Sequence, residues 1–178
     1  FFVDAAHFVL GAFLGWLWTK TRLFVRAPSG RQRFNVLGAL NAVTQEILTV
    51  TNTTYITAVE VVALLTQLAA QATPDVPVTV VLDKARYQRC QFVLTQAARL
   101  GLEVLFLPSY APNLNLIERL WKFVKKQCLY SHYYAEFGAF QGAIQDCLAT
   151  APVRHKKELQ SLLSLKFQTF ENIQFMPV

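Results

Sequence analysis

Residues 78–107, VTVVLDKARYQRCQFVLTQAARLGLEVLFL, carry the pattern that decides the fold. Val78-Thr-Val-Val-Leu82 is apolar at nearly every position, which suits an interior parallel strand better than a half-exposed one. Residues 89–100 then place Phe92, Val93, Ala97 and Leu100 on the inward side of a helix, Gly101 ends it, and Val104 to Leu107 makes another buried strand. Strand, helix and strand in that order form a crossover unit. An acid, Asp83, closes its first strand.

Toward the N-terminus, Phe1-Phe-Val3 is a second short apolar run that ends in an acid, Asp4. Val9 to Trp18, broken by Gly11 and Gly15, reads as a strand with bends, and Arg26-Ala-Pro-Ser-Gly30 is turn chemistry. Phe34 to Ala42 and Ile47 to Thr51 are expected to pair as a hairpin around Val43 to Glu46. After Thr57 the positions Val59, Val62, Ala63, Leu65 and Ala69 fit a helical period, which Pro74 and Pro77 stop. Toward the C-terminus, Asn113 is a suitable cap for a helix whose apolar face is Ile117, Leu120, Trp121, Val124 and Cys128. Further helices are expected near 135–149 and 155–165.

The chain has 178 residues, enough for one domain with a sizeable core, and 53% apolar against 16% charged residues exclude a disordered tail. The longest apolar stretches fall well short of the ~20 residues of a spanning helix, and no signal pattern opens the chain, so no membrane role is expected. The expectation is a soluble, cytoplasmic protein. Cys90, Cys128 and Cys147 show no CxxC spacing, which argues against a disulfide framework or a zinc site. Position 1 is Phe rather than Met, so a longer reading frame is expected.

The net charge is +6 and it is segregated. No acid lies between Asp4 and Glu46, where Lys20, Arg22, Arg26, Arg31 and Arg33 occur, and residues 34–83 contain no Lys or Arg. A second group is Arg119, Lys122, Lys125 and Lys126, and a third runs from Arg154 to Lys157. Any one such group suits an ordinary solvated surface; three in a chain with few acids suit a polyanion track.

Asp4 and Asp83 occupy matching settings at the ends of apolar strands, where an unpaired buried carboxylate is costly. A single such Asp is commonly a turn or cap residue. Two of them, at strand ends where open sheets gather their ligands, suggest a site. Glu118 borders the apolar face of its helix beside Lys122, either as a surface ion pair or as a third ligand. Three carboxylates converging from two strands and a helix suit hard divalent cations, and two such ions ~4 Å apart serve in-line phosphodiester chemistry.

These residues resemble a known family. Phe-Phe-Val-Asp4-Ala-Ala-His, Val-Val-Leu-Asp83, and above all Leu107-Pro-Ser-Tyr-Ala-Pro-Asn-Leu-Asn-Leu-Ile-Glu118-Arg-Leu-Trp-Lys122 look like the three acidic motifs of the DDE transposases. The 34 residues between Asp83 and Glu118 match the mariner-like superfamily and its bacterial insertion-sequence relatives, the 630 group. The resemblance covers nearly the whole chain. It implies a ribonuclease H-like α/β fold, with a mixed sheet of about five strands, the first three antiparallel and the rest parallel, and helices on both faces of a single domain spanning 1–178. It also implies that Asp4, Asp83 and Glu118 hold two Mg²⁺ ions, with Mn²⁺ able to substitute, and that a bacterial, nucleoid-associated homodimer cuts duplex DNA at element ends and joins it to a target at TA. Expected DNA contacts are Lys20, Arg22, Arg26, Arg31, Arg33, Lys84, Arg86, Arg119, Lys122, Lys125 and Lys126.

Two features depart from the family. Lys84 stands where Asn usually follows the second Asp, placing a cation beside Asp83. No upstream helix-turn-helix module lies within these residues. An inactive remnant that binds nucleic acid, or another ribonuclease H-like nuclease, are the alternative expectations. His7 is expected to be a hydrogen-bonded structural residue rather than a phosphate contact.

Overall fold

A computed structural model describes residues 1–11, 20, 21, 24, 32–73, 76–108 and 111–167. The strand expected over Val9 to Trp18 and the turn over Arg26 to Gly30 fall almost wholly outside them. Five strands form one sheet: β1 (Phe2–Val9), β2 (Arg33–Leu40), β3 (Ile47–Asn52), β4 (Val78–Leu82) and β5 (Leu102–Phe106), in the order β3-β2-β1-β4-β5. The first three are antiparallel, and β4 joins β1 and β5 in parallel. This is the mixed sheet expected.

Alternation along β1 sorts the molecule into two layers. Ala6, Phe8 and Leu10 face a core shared with Phe34, Val36 and Leu40 of β2 and with the helices α3 (Leu116–Val124), α4 (Phe137–Arg154) and α5 (Lys156–Leu162). Val3, with Leu37 and Ala39 of β2 and Val80 and Leu82 of β4, faces a second core under α1 (Ala58–Gln71) and α2 (Gln91–Arg99). Helices therefore cover both faces, and β1 is the central strand.

Several local expectations shift. Asp4 does not end its strand, because β1 runs on to Val9 through an unbroken antiparallel ladder with β2. α1 starts on a Thr57–Glu60 capping box and buries Val61, Leu64, Leu65 and Leu68, a face rotated from the one expected. Phe92 on α2 is exposed rather than inward. Asn115, not Asn113, stands at the start of α3, after a 3₁₀ turn over Pro112–Leu114. α3 continues into a π-helical turn, Lys125–Leu129.

Candidate active site

Asp4, at an even position of β1, points to the α3 layer, as do the Ala6 and Phe8 that follow it at period two. Its carboxylate accepts a hydrogen bond from the indole Nε1–H of Trp121 on α3, at 3.1 Å. Asp83 follows β4 directly, and its Oδ1 accepts from the Ala85 backbone N–H at 2.9 Å, which turns the chain at the strand end. Glu118 lies half-buried in the first turn of α3, reached by the close approach of that helix to β1 and β2.

The three acids act on one another. Burial pushes Asp4 up from 3.8 to about 7, and the charges of Asp83 and Glu118 push the same way against the lowering by the Ala5 backbone and the Trp121 indole. Burial also raises Glu118; Lys122 offsets this and Asp83 adds to it. Tyr87, in the turn after β4, is pushed up to about 12 by burial and then by Asp83 and Asp4, so its phenol belongs to the same acidic corner. Among the described residues, however, no group of three or more His, Cys, Asp or Glu is gathered closely enough to hold an ion. The donor chemistry fits a hard divalent cation: carboxylates alone, one of them carrying an ionisation penalty that a neighbouring positive charge would relieve.

The basic residues divide more sharply than their spacing suggested. Arg22, Arg26 and Arg31 lie outside the described residues. Lys20, Lys84, Arg86, Lys122 and Lys126 are exposed, and Lys126 stands 3.8 Å from Glu158. Arg33 is exposed and its guanidinium lies over Tyr55, 5.1 Å from the ring centroid. Lys125 is half-buried. Arg119 is otherwise engaged: its guanidinium donates to the carbonyls of Leu162, Ser164 and Lys166 at 2.9–3.1 Å and lies over the Phe167 ring. Those contacts give Arg119 a structural role. Lys84 is exposed, and the charges acting on Asp4 and Glu118 are those of the other acids and Lys122. His7 faces away from Asp4 and hydrogen-bonds Asn35 at 2.7 Å, the structural role expected.

Sequence reasoning read Trp121 only as a core residue and missed Gly38, Tyr87 and Asn115. Asn115 is buried, donates to the Val3 carbonyl at 3.4 Å beside Asp4, and leaves its Oδ1 without a partner. A three-residue spacing from Glu118 was the available signal for both Asn115 and Trp121. A hollow of about 610 Å³ opens elsewhere, between β3 and α4, and none of the three acids lines it.

A mixed sheet in the order 3-2-1-4-5, with acids on its central strand, on the strand end beside it and on the helix laid across them, is the ribonuclease H-like fold of transposase and integrase catalytic cores. The chain belongs to the DDE superfamily endonucleases, whose sequence pattern matches residues 2–141. Among solved structures it resembles the Mos1 strand transfer complex, with a TM-score of 0.64 and 12% identity over 95% of this chain and 55% of that one. The Mos1 mariner paired-end complex with Mn gives a TM-score of 0.62 at 12% identity, over 95% and 56%. The Mos1 transposase catalytic domain with raltegravir and Mg gives 0.59 at 12% identity, over 95% and 85%. The chain thus spans about half the length of the transposase chains in the first two complexes. A search of curated proteins finds no match to this sequence. Among the described residues no helix is long and apolar enough to cross a membrane.

Proposed function

We propose that residues 1–178 form the catalytic domain of a mariner-like transposase, related to the insertion sequences of the 630 group, which cleaves element ends and joins them to a target at TA as a homodimer. The observation that carries this reading is the placement of Asp4 on the central strand, Asp83 directly after the strand beside it and Glu118 in the first turn of α3, inside a chain of the DDE endonuclease family. Asp4, Asp83 and Glu118 are the groups that would hold two Mg²⁺ ions, or Mn²⁺ in their place. The chemistry such ions supply when bound is activation of an attacking water or 3′ hydroxyl and neutralisation of charge on the leaving oxygen. Asp83 keeps one oxygen on the Ala85 N–H, so its other oxygen is the one available to a ligand. Exposed Lys122, one turn along α3 from Glu118, is placed to meet a phosphate approaching the acids. Lys20, Arg33, Lys84 and Arg86 supply further phosphate contacts, and Arg22, Arg26 and Arg31 extend the same track in sequence.

The test is strand transfer from pre-cut duplex ends. Product is expected with Mg²⁺ or Mn²⁺, absent with EDTA, and reduced about a hundred- to thousandfold in Asp83→Asn or Glu118→Gln, by analogy with the loss of one electrostatic catalytic group. Products that persist in both variants would remove these acids from the chemistry. DNA binding without any product in the wild type would favour the inactive remnant.

A further inference from the structure

We propose that Trp121 is a positioning residue for Asp4: its indole N–H holds one carboxylate oxygen and fixes how the carboxylate is presented to a divalent cation, so the helix that brings Glu118 also orients the first acid. This rests on the reading of Asp4, Asp83 and Glu118 as metal ligands. The contact is direct, Nε1–H to Oδ2 at 3.1 Å, and Trp121 is only 5% exposed, so its buried donor depends on a protein partner. A hydrogen bond to an ionised acceptor is among the stronger kinds, and a donor behind a ligating carboxylate fixes that ligand's orientation.

The fold makes room for this ring at one place. Gly38 is the cross-strand partner of Asp4, and a Cβ there would meet Trp121 Cη2 at 2.7 Å and Cζ2 at 2.9 Å, closer than such contacts occur. The indole therefore comes up against the backbone of β2 beside Asp4, into space that a side chain at position 38 would fill. Phe8 packs against it edge-on, with ring centroids 6.4 Å apart and planes at 83°. Two neighbours and one hydrogen bond leave the ring a single seat. Trp121 is three residues from Glu118 on α3, so a shift of the helix moves the Asp4 holder and the third acid together.

The experiment compares wild type, Trp121→Phe and Gly38→Ala in Mn²⁺ titrations followed by calorimetry, with Asp83→Asn as the blank. Trp121→Phe removes the N–H together with part of the indole's packing; we expect it to stay folded and bind Mn²⁺ about tenfold or more weakly. Gly38→Ala presses on the indole, and on Ile117 Cδ1 at 3.0 Å, while leaving the N–H in place, and is expected to weaken binding in the same direction, which keeps the test decisive if Trp121→Phe does not fold. A second readout is independent of metal: Asp4→Asn should move one indole ¹H–¹⁵N resonance, the one absent from Trp121→Phe. Folded variants that bind Mn²⁺ as the wild type does, while Asp83→Asn does not, would overturn the role of Trp121 and leave the acids as ligands. Wild-type binding indifferent to Asp83→Asn would overturn the metal reading, and this inference with it.

Discussion

Asp4 is the residue on which the fold spends stability. Its carboxyl is pushed up from 3.8 to about 7, chiefly by burial, so the native state binds a proton more tightly than the unfolded chain does. Between those two values the native state carries more protons, and stability falls as pH rises from about 4 to about 7. Replacing the acid by its neutral isostere removes that loss. In EDTA, Asp4→Asn should therefore raise the melting temperature at pH 8, by an amount on the order of a few kcal/mol in stability, and change it little at pH 4. Equal shifts at both pH values would mean that the carboxylate is not desolvated in solution. Lys84 carries the opposite lesson. A unit charge a few Å from Asp83 was worth several kcal/mol at an effective dielectric of ~20. Lys84 is exposed and acts on neither Asp4 nor Glu118, so Lys84→Asn is expected to leave Mn²⁺ affinity unchanged and weaken duplex binding. Tighter Mn²⁺ binding by that variant would show that the Lys84 charge opposes a cation at Asp83. The sequence could place a cation next to an acid; only backbone geometry decides which way each side chain points.

At the scale of single elements, α3 was legible because its pattern is unambiguous: Leu116, Ile117, Leu120, Trp121, Phe123 and Val124 are buried, and Glu118 stays half-buried at the margin. α1 was not, since apolar residues occur on nearly every side of Ala58–Gln71 and the period alone cannot choose which side meets the sheet. The sheet chose Val61, Leu64, Leu65 and Leu68. Arg119 shows the same limit for charge. It sits among lysines in sequence, yet it binds three carbonyls at and just beyond the end of α5, those of Leu162, Ser164 and Lys166, where a helix leaves carbonyls without intrahelical donors. Arg119→Ala is expected to cost about 1.5–3 kcal/mol in urea unfolding, the range for hydrogen bonds to a charged donor, and Arg119→Lys to recover only part of it because one ammonium cannot span three acceptors. A variant as stable as the wild type would return Arg119 to the surface charges.

For the molecule as a whole, the order of elements followed from the apolar runs, whereas the meeting of β1 with β4 could not, because it joins residues some eighty positions apart through a single registered pair, Phe2 with Val81. That non-local contact brings Asp83 beside Asp4, and the motif resemblance supplied what local pattern could not. The same sheet order divides the surface charge: the acids lie on the side where α3 crosses the central strand, and Lys122 is exposed on that helix while Arg119 holds carbonyls at and beyond the end of α5. Counterion release gives this division a measurable form, since each phosphate neutralised contributes ~0.9 to the slope of log affinity against log salt on duplex DNA. Lys122→Ala and Lys84→Ala are each expected to reduce that slope by about 1, and Arg119→Ala to leave it unchanged once compared under conditions where all three variants are folded. A slope that falls for Arg119→Ala and holds for Lys122→Ala would place the DNA along the α5 side of the domain, away from the acids, and the proposed path would have to be abandoned.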